Sequence, residues 1–185
     1  FKNRFIGKLL FIYGLFTLLC VPAGYLAGLL VRRTFGNTYW YLTAVEIVGF
    51  AGMTAGGVVM SIWGGFRKRE RTLTEGLFAF GAFAIGMGLT KNFILYLFLM
   101  FFYGIALTAV QTSITTLLQE KTEPAIQGRV FGLFSTMYAG FLPLGMLLFG
   151  PLADLVPLQW LMAGSGAALI AIAGIIGVRL KFRNI

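Results

Sequence analysis

Charge is confined to short clusters along this chain, and long apolar stretches separate them. Residues 9–31, 76–90, 92–118, 130–153 and 155–178 carry no charged side chain, and residues 34–66 carry only Glu46. Crossing about 30 Å of hydrocarbon takes roughly 20 helical residues. All the stretches but one exceed that length, and the third approaches it only by extending back to Thr72, past Glu75. Apolar and polar residues do not alternate within them, which sets aside the strands of a membrane barrel. The pattern predicts an all-α membrane protein with six transmembrane helices, over about 8–32, 38–65, 72–90, 92–118, 128–152 and 157–179.

The charged clusters then fix an expected orientation. With six spans, both ends of the chain lie on one side of the membrane. Of the 15 basic residues, twelve fall on that side: Lys2, Arg4 and Lys8, the 67–71 cluster, Lys121, Arg129, and Arg179, Lys181 and Arg183. Only Arg32, Arg33 and Lys91 fall on the other. The positive-inside rule makes both termini cytoplasmic. Tyr39, Trp40 and Tyr41 mark the outer interface of the second span, and Trp63 its inner end. Residues 119–132, "QEKTEPAIQGRVFG", become a cytoplasmic elbow between the fourth and fifth spans, broken at Pro124. Glu120 and Glu123 are near enough in sequence to Lys121 and Arg129 for ion pairs. Arg129 has two readings, an anchor for the fifth span or a gate that pairs with an acidic group outside this chain.

Composition narrows the class further. The chain of 185 residues is 58% hydrophobic and 11% charged, where soluble domains carry about 25% charge. The formal charge of +9 does not indicate nucleic acid, because the basic residues sit between spans and build no solvated basic face. Histidine is absent and Cys20 is the single cysteine, so neither a Ser/His/Asp triad nor a zinc site can be assembled. A Ser/Lys dyad would need Ser113, Ser135 or Ser165 beside a lysine, and the lysines lie in loops. No GxxxxGK[ST] phosphate loop occurs. Neither enzymatic activity nor a cofactor is expected. Gly24/Gly28, Gly52/Gly56 and Gly128/Gly132 form small-xxx-small pairs of the kind that let helices approach closely. Pro22 and Pro143 lie inside the first and fifth spans, where each can bend its helix.

Candidate chemistry is sparse and therefore easy to find. Glu46 lies about one and a half turns inside the second span. A carboxylate at that depth costs several kcal/mol unless it is protonated, paired or facing water. That suits a proton carrier or a partner for a cationic substrate; the structural alternative is a glutamate that reaches the headgroups or caps a neighbouring helix. Thr108, Gln111, Thr112, Thr115 and Gln119 fall on one stripe of the fourth span, within about 100° of one another. The stripe either lines a substrate path or hydrogen-bonds to neighbouring helices and its own backbone. Tyr13, Thr17 and Tyr25 in the first span, and Ser135, Thr136 and Tyr138 in the fifth, are weaker candidates. Their rings suit flat lipophilic ligands, or simple packing.

The segments "EPAIQGRVFGL" and "PLGMLLFGPLADL" resemble the carboxy-terminal half of major facilitator superfamily transporters, in the branch with macrolide-efflux proteins and the enterobactin exporter. The resemblance rests on Pro124, Gly128, Arg129 and Val130, then Pro143, Leu144 and Gly145, then Gly150, Leu152, Ala153 and Asp154. "LTAVEIVGFAGMTAGGVVMSIWGG" is similar to the eighth helix of that family. The resemblance implies that the six spans are helices seven to twelve of a twelve-helix transporter in a bacterial plasma membrane. Its amino-terminal six-helix half would precede Phe1. Helices seven, eight, ten and eleven usually line the cavity, which places Glu46 and the Thr108–Gln119 stripe beside it and makes the third and sixth spans peripheral. The superfamily's loop Gly-x-x-x-Asp-Arg-x-Gly-Arg-Arg has its counterpart near "GGFRKRER" at 64–71, which lacks the Asp and the internal Gly. Arg67, Arg69, Arg129 and Asp154 remain as gating or loop candidates.

The expected partners are the lipid bilayer, the missing half, a small lipophilic substrate and protons. The implied function is proton-coupled efflux of lipophilic, drug-like compounds such as macrolides. The alternatives are transport of another small solute, such as a siderophore, and a non-transporting scaffold or accessory half.

Overall fold

The computed structural model describes residues 4–36 and 38–182, with side chains through residue 177. Lys2 and Arg183, and the side chains of Arg179 and Lys181, lie outside the described residues. Among the described residues seven α-helices follow in order: α1 (Arg4–Gly24), α2 (Ala27–Thr34), α3 (Tyr39–Trp63), α4 (Arg69–Leu89), α5 (Phe93–Lys121), α6 (Gln127–Leu155) and α7 (Leu158–Phe182). A 3₁₀ turn, Pro124–Ile126, leads into α6. With α1 and α2 taken as one span, six helical segments are long and apolar enough to cross a membrane. No strand occurs among the described residues.

Local chemistry sets the helix ends. Gly64 follows α3 with φ of +68°, and its N–H donates to the Met60 carbonyl at 2.9 Å. This left-handed cap favours glycine, which has no Cβ to clash. The α3–α4 turn is then pinned by Thr72, whose hydroxyl accepts from the Phe66 N–H at 2.8 Å. Asn92 caps α5 by accepting from the N–H groups of Ile94 and Leu95; such a cap is worth about 1 kcal/mol.

The first span does not run unbroken as its apolar pattern suggests. It opens at Tyr25 and Leu26, three residues after Pro22. Pro22 has no N–H to donate, and beyond it the Leu26 N–H reaches back five residues to the Val21 carbonyl at 3.1 Å. Pro143 and Pro151 have no such effect, because α6 stays helical through both.

Packing repeats within the bundle. Helix α3 lies along α5, and α6 lies along α1; α4 also packs on α5, and α7 on α1; α4 and α7 pack on each other. Exchanging the first three spans with the last three maps this set of neighbours onto itself. A three-plus-three internal repeat, which gives secondary transporters their paired architecture, is thus visible in the packing although the residues of the two triplets do not match. The core sits where α1, α4 and α5 meet, with the Phe80 ring 5.0 Å from Phe16 and 4.3 Å from Tyr103. Burial is uneven. In the most apolar stretch of the first span 56% is buried, against 22% in α3 and 11% in α6. Helices α3 and α6 therefore border a face that no described residue covers.

Candidate functional site

A cavity of about 380 Å³ opens between α1, α3 and α5. It lies beside the break in the first span, with Gly24, Tyr25 and Ala27 along its edge. Tyr25 and Glu46 stand on its wall with Phe50 and Met53, and Met100 and Tyr103 close its base. Phe50 is 62% exposed and Tyr25 47%, so the site is open on the uncovered side. Glu46 is also exposed, and among the described residues no hydrogen bond or ion pair holds its carboxylate. A carboxylate left without a partner inside a span is available to a proton or a cation.

A second polar contact rims the same region. The Tyr25 hydroxyl meets the Tyr138 hydroxyl of α6 at 2.8 Å. This bond joins the broken first span to the most uncovered helix. Deeper in, Tyr103 approaches the Cys20 sulfur at 3.4 Å. Sequence singled out Tyr25, Tyr138 and Glu46 but gave no signal that would seat Phe50, Met53, Met100 and Tyr103 beside them. Pro22 with Gly24 was the available clue, since interrupted helices mark binding sites in transporters.

The stripe on the fourth span divides. Thr108 donates to the Met53 carbonyl of α3 at 3.1 Å, with the Gly104 carbonyl at 3.2 Å, so it serves helix packing. Thr115 donates to the Gln111 carbonyl of its own helix at 2.9 Å. Thr112 is half-buried, and Gln111 is exposed. The Gln119 carbonyl accepts from Gln127. That bond uses the Gln119 backbone, so among the described residues the side-chain amides of Gln111 and Gln119, both exposed, are left without a hydrogen bond. Thr17 and Thr136 donate to their own helices, at Tyr13 and Gly132, and the Tyr13 ring stacks on Phe134 at 4.0 Å. Ser135 is exposed.

Two ion pairs tie the ends of the bundle. At one end Asp154, at the foot of α6, pairs with Arg33 of α2 at 2.8 Å, and Arg33 also donates to the Ala153 carbonyl. At the other end Arg69 pairs with Glu120 at 3.5 Å. This corrects the sequence expectation for the elbow: Glu120 reaches across to α4 instead of pairing with Lys121 or Arg129, because the C-terminal end of α5 packs beside the start of α4. Arg67 and Arg129 are exposed, and no ion pair joins either of them to a described residue. The glycine pairs also differ among themselves. Gly52 and Gly56 lie against the α5 backbone, whereas a side chain at Gly128 or Gly132 would meet nothing within 4 Å, so the last pair makes no close packing among the described residues.

Six helices long and apolar enough to cross a membrane, among the described residues, define an integral membrane protein. The chain belongs to the transmembrane secretion effector family of the major facilitator superfamily, which matches residues 6–185. Macrolide efflux protein A of Streptococcus pyogenes is 26% identical over 174 residues, which cover 93% of this chain and 43% of that protein. Macrolide efflux protein A of Enterococcus faecalis is 26% identical over 147 residues, covering 78% of this chain and 46% of that protein. The chain thus spans about half the length of the curated relatives it matches.

Proposed function

We propose that this chain is the carboxy-terminal half of a secondary transporter that exports lipophilic, drug-like compounds such as macrolides in exchange for protons. The observation that carries the reading is Glu46, a carboxylate without a partner inside a span, on the wall of a cavity that opens toward the uncovered face. In this reading Glu46 alternately takes a proton and releases it, or faces a cationic substrate. Phe50, Met53 and Tyr25 supply an apolar, aromatic wall, and Gln111 a polar contact. The amino-terminal half covers the face bordered by α3 and α6, and alternating access comes from rocking one half against the other. Both ends of the chain are cytoplasmic by the positive-inside rule, and the relatives' names support export of macrolides.

The test is macrolide accumulation in cells that carry the full-length gene. Efflux should persist when ATP is depleted under an imposed proton gradient and collapse with a protonophore. Glu46→Gln should abolish uphill efflux at unchanged expression. Efflux that follows ATP, or that survives Glu46→Gln, rejects the proton-coupled mechanism.

A further inference from the structure

A second cavity is larger than the one beside Glu46. A groove of about 780 Å³ lies at the end of the bundle where α1 and α4 begin and where α5 and α7 finish. Its volume falls within the roughly 300–1,000 Å³ of small-molecule sites. Neither α3 nor α6 contributes to it, so it lies apart from the uncovered face. Arg4, Lys8, Phe11 and Leu15 of α1 recur at helical spacing and form one wall. Ile172 and Ile175 of α7 form the other. Leu9, Leu73 and Leu117, all nearly fully buried, make the floor. Phe11 is 61% exposed and Ile175 57%, so the groove is open along its length to the surrounding lipid.

The charges lie at one end of this apolar trough. Arg4 and Lys8 stand at its mouth with one carboxylate, Glu70, and the rim is net positive. No ion pair holds Arg4 or Lys8 among the described residues. Open apolar walls of bilayer orientation, ending in two cations at headgroup depth, match one class of molecule: an acyl chain that ends in an anionic phosphate. Basic pockets between spans at a membrane face bind anionic headgroups for this reason.

We propose that this groove is a specific site for an anionic phospholipid, with its phosphate at Arg4 and Lys8 and an acyl chain between Phe11 and Ile175. The site does not depend on the transport mechanism. It straddles the two internal triplets, since α1 and α4 come from the first and α5 and α7 from the second, so an occupant bridges them.

Native mass spectrometry of the full-length chain, with added phosphatidylglycerol or phosphatidylcholine, tests it. Each cation at an anionic headgroup is worth roughly fivefold in affinity. The parent chain should therefore retain phosphatidylglycerol over phosphatidylcholine by about tenfold or more. Arg4→Gln with Lys8→Gln should erase that preference, and Lys121→Gln, at the same membrane face but outside the groove, should leave it. Gly7 lines the groove, and a side chain built on it meets nothing within 4 Å. Gly7→Leu should then fill the trough without disturbing the bundle and cut retention of both lipids. Equal retention of the two lipids by the parent chain overturns the proposal. So does a loss of preference in Lys121→Gln as large as in the double variant, or undiminished retention in Gly7→Leu, which would place the lipid elsewhere.

Discussion

Gly52 shows how much one hydrogen atom can decide. A methyl group there would strike the Phe101 carbonyl oxygen of α5, and one on the facing Gly104 would lie 2.7 Å from the Gly49 carbonyl. Helices α3 and α5 touch backbone to backbone only because both positions lack a side chain. Gly52→Ala should lower the thermal unfolding midpoint in detergent, by the equivalent of about 1–3 kcal/mol for overpacking. Gly57→Ala, on the same helix with open space around it, should stay within about 1 kcal/mol of the parent. Equal shifts for the two variants would mean that the crossing is looser than described. Glu46 was legible from sequence for the opposite reason, as a lone charge in a long apolar stretch. The Tyr25–Tyr138 bond was not, because nothing in the residue order says that these two spans are neighbours. A neutral hydrogen bond contributes about 0.5–1.5 kcal/mol. A double-mutant cycle with Tyr25→Phe and Tyr138→Phe should return a coupling of that size; additive effects on the midpoint would show that the hydroxyls do not meet.

The elements were largely readable, and their interruptions were not. Apolar length marks a span without regard to how its backbone is bonded, so the opening at Tyr25–Leu26 left only the Pro22 and Gly24 signature. The short helix beyond it, α2, is fastened to α6 by Arg33 and Asp154. Both side chains are substantially exposed, at 45% and 75%, and an exposed pair contributes at most about 1 kcal/mol. Its value is therefore positional: it holds the end of α6 against α2 while most of α6 remains bare. Asp154→Lys should repel Arg33 and speed hydrogen exchange in α2, at residues 30–34. Restoring opposite charge with Arg33→Asp should return exchange toward the parent rate. Exchange unaffected by Asp154→Lys would mean that α2 is held by its apolar contacts alone.

At the scale of the whole molecule, the spacing of charge foretold six spans, but the internal repeat had to be seen in the packing. Helix neighbours are set by which faces fit, and two triplets of unrelated apolar residues can fit alike. Alternating helices also carry every basic cluster to a definite face, which makes orientation testable at single positions. Arg67 lies in the turn between α3 and α4, and Lys91 in the turn between α4 and α5; both are exposed. One substitution at either place leaves the imbalance of twelve basic residues to three intact in direction. Single-cysteine variants Arg67→Cys and Lys91→Cys, in the full-length chain freed of other cysteines, would then report the native topology. A membrane-impermeant maleimide applied to intact cells should label Lys91→Cys, and should reach Arg67→Cys only after the membrane is opened. The reverse pattern would turn the bundle over, place the Arg4–Lys8 groove in the outer leaflet, and show that charge imbalance does not govern how this chain inserts.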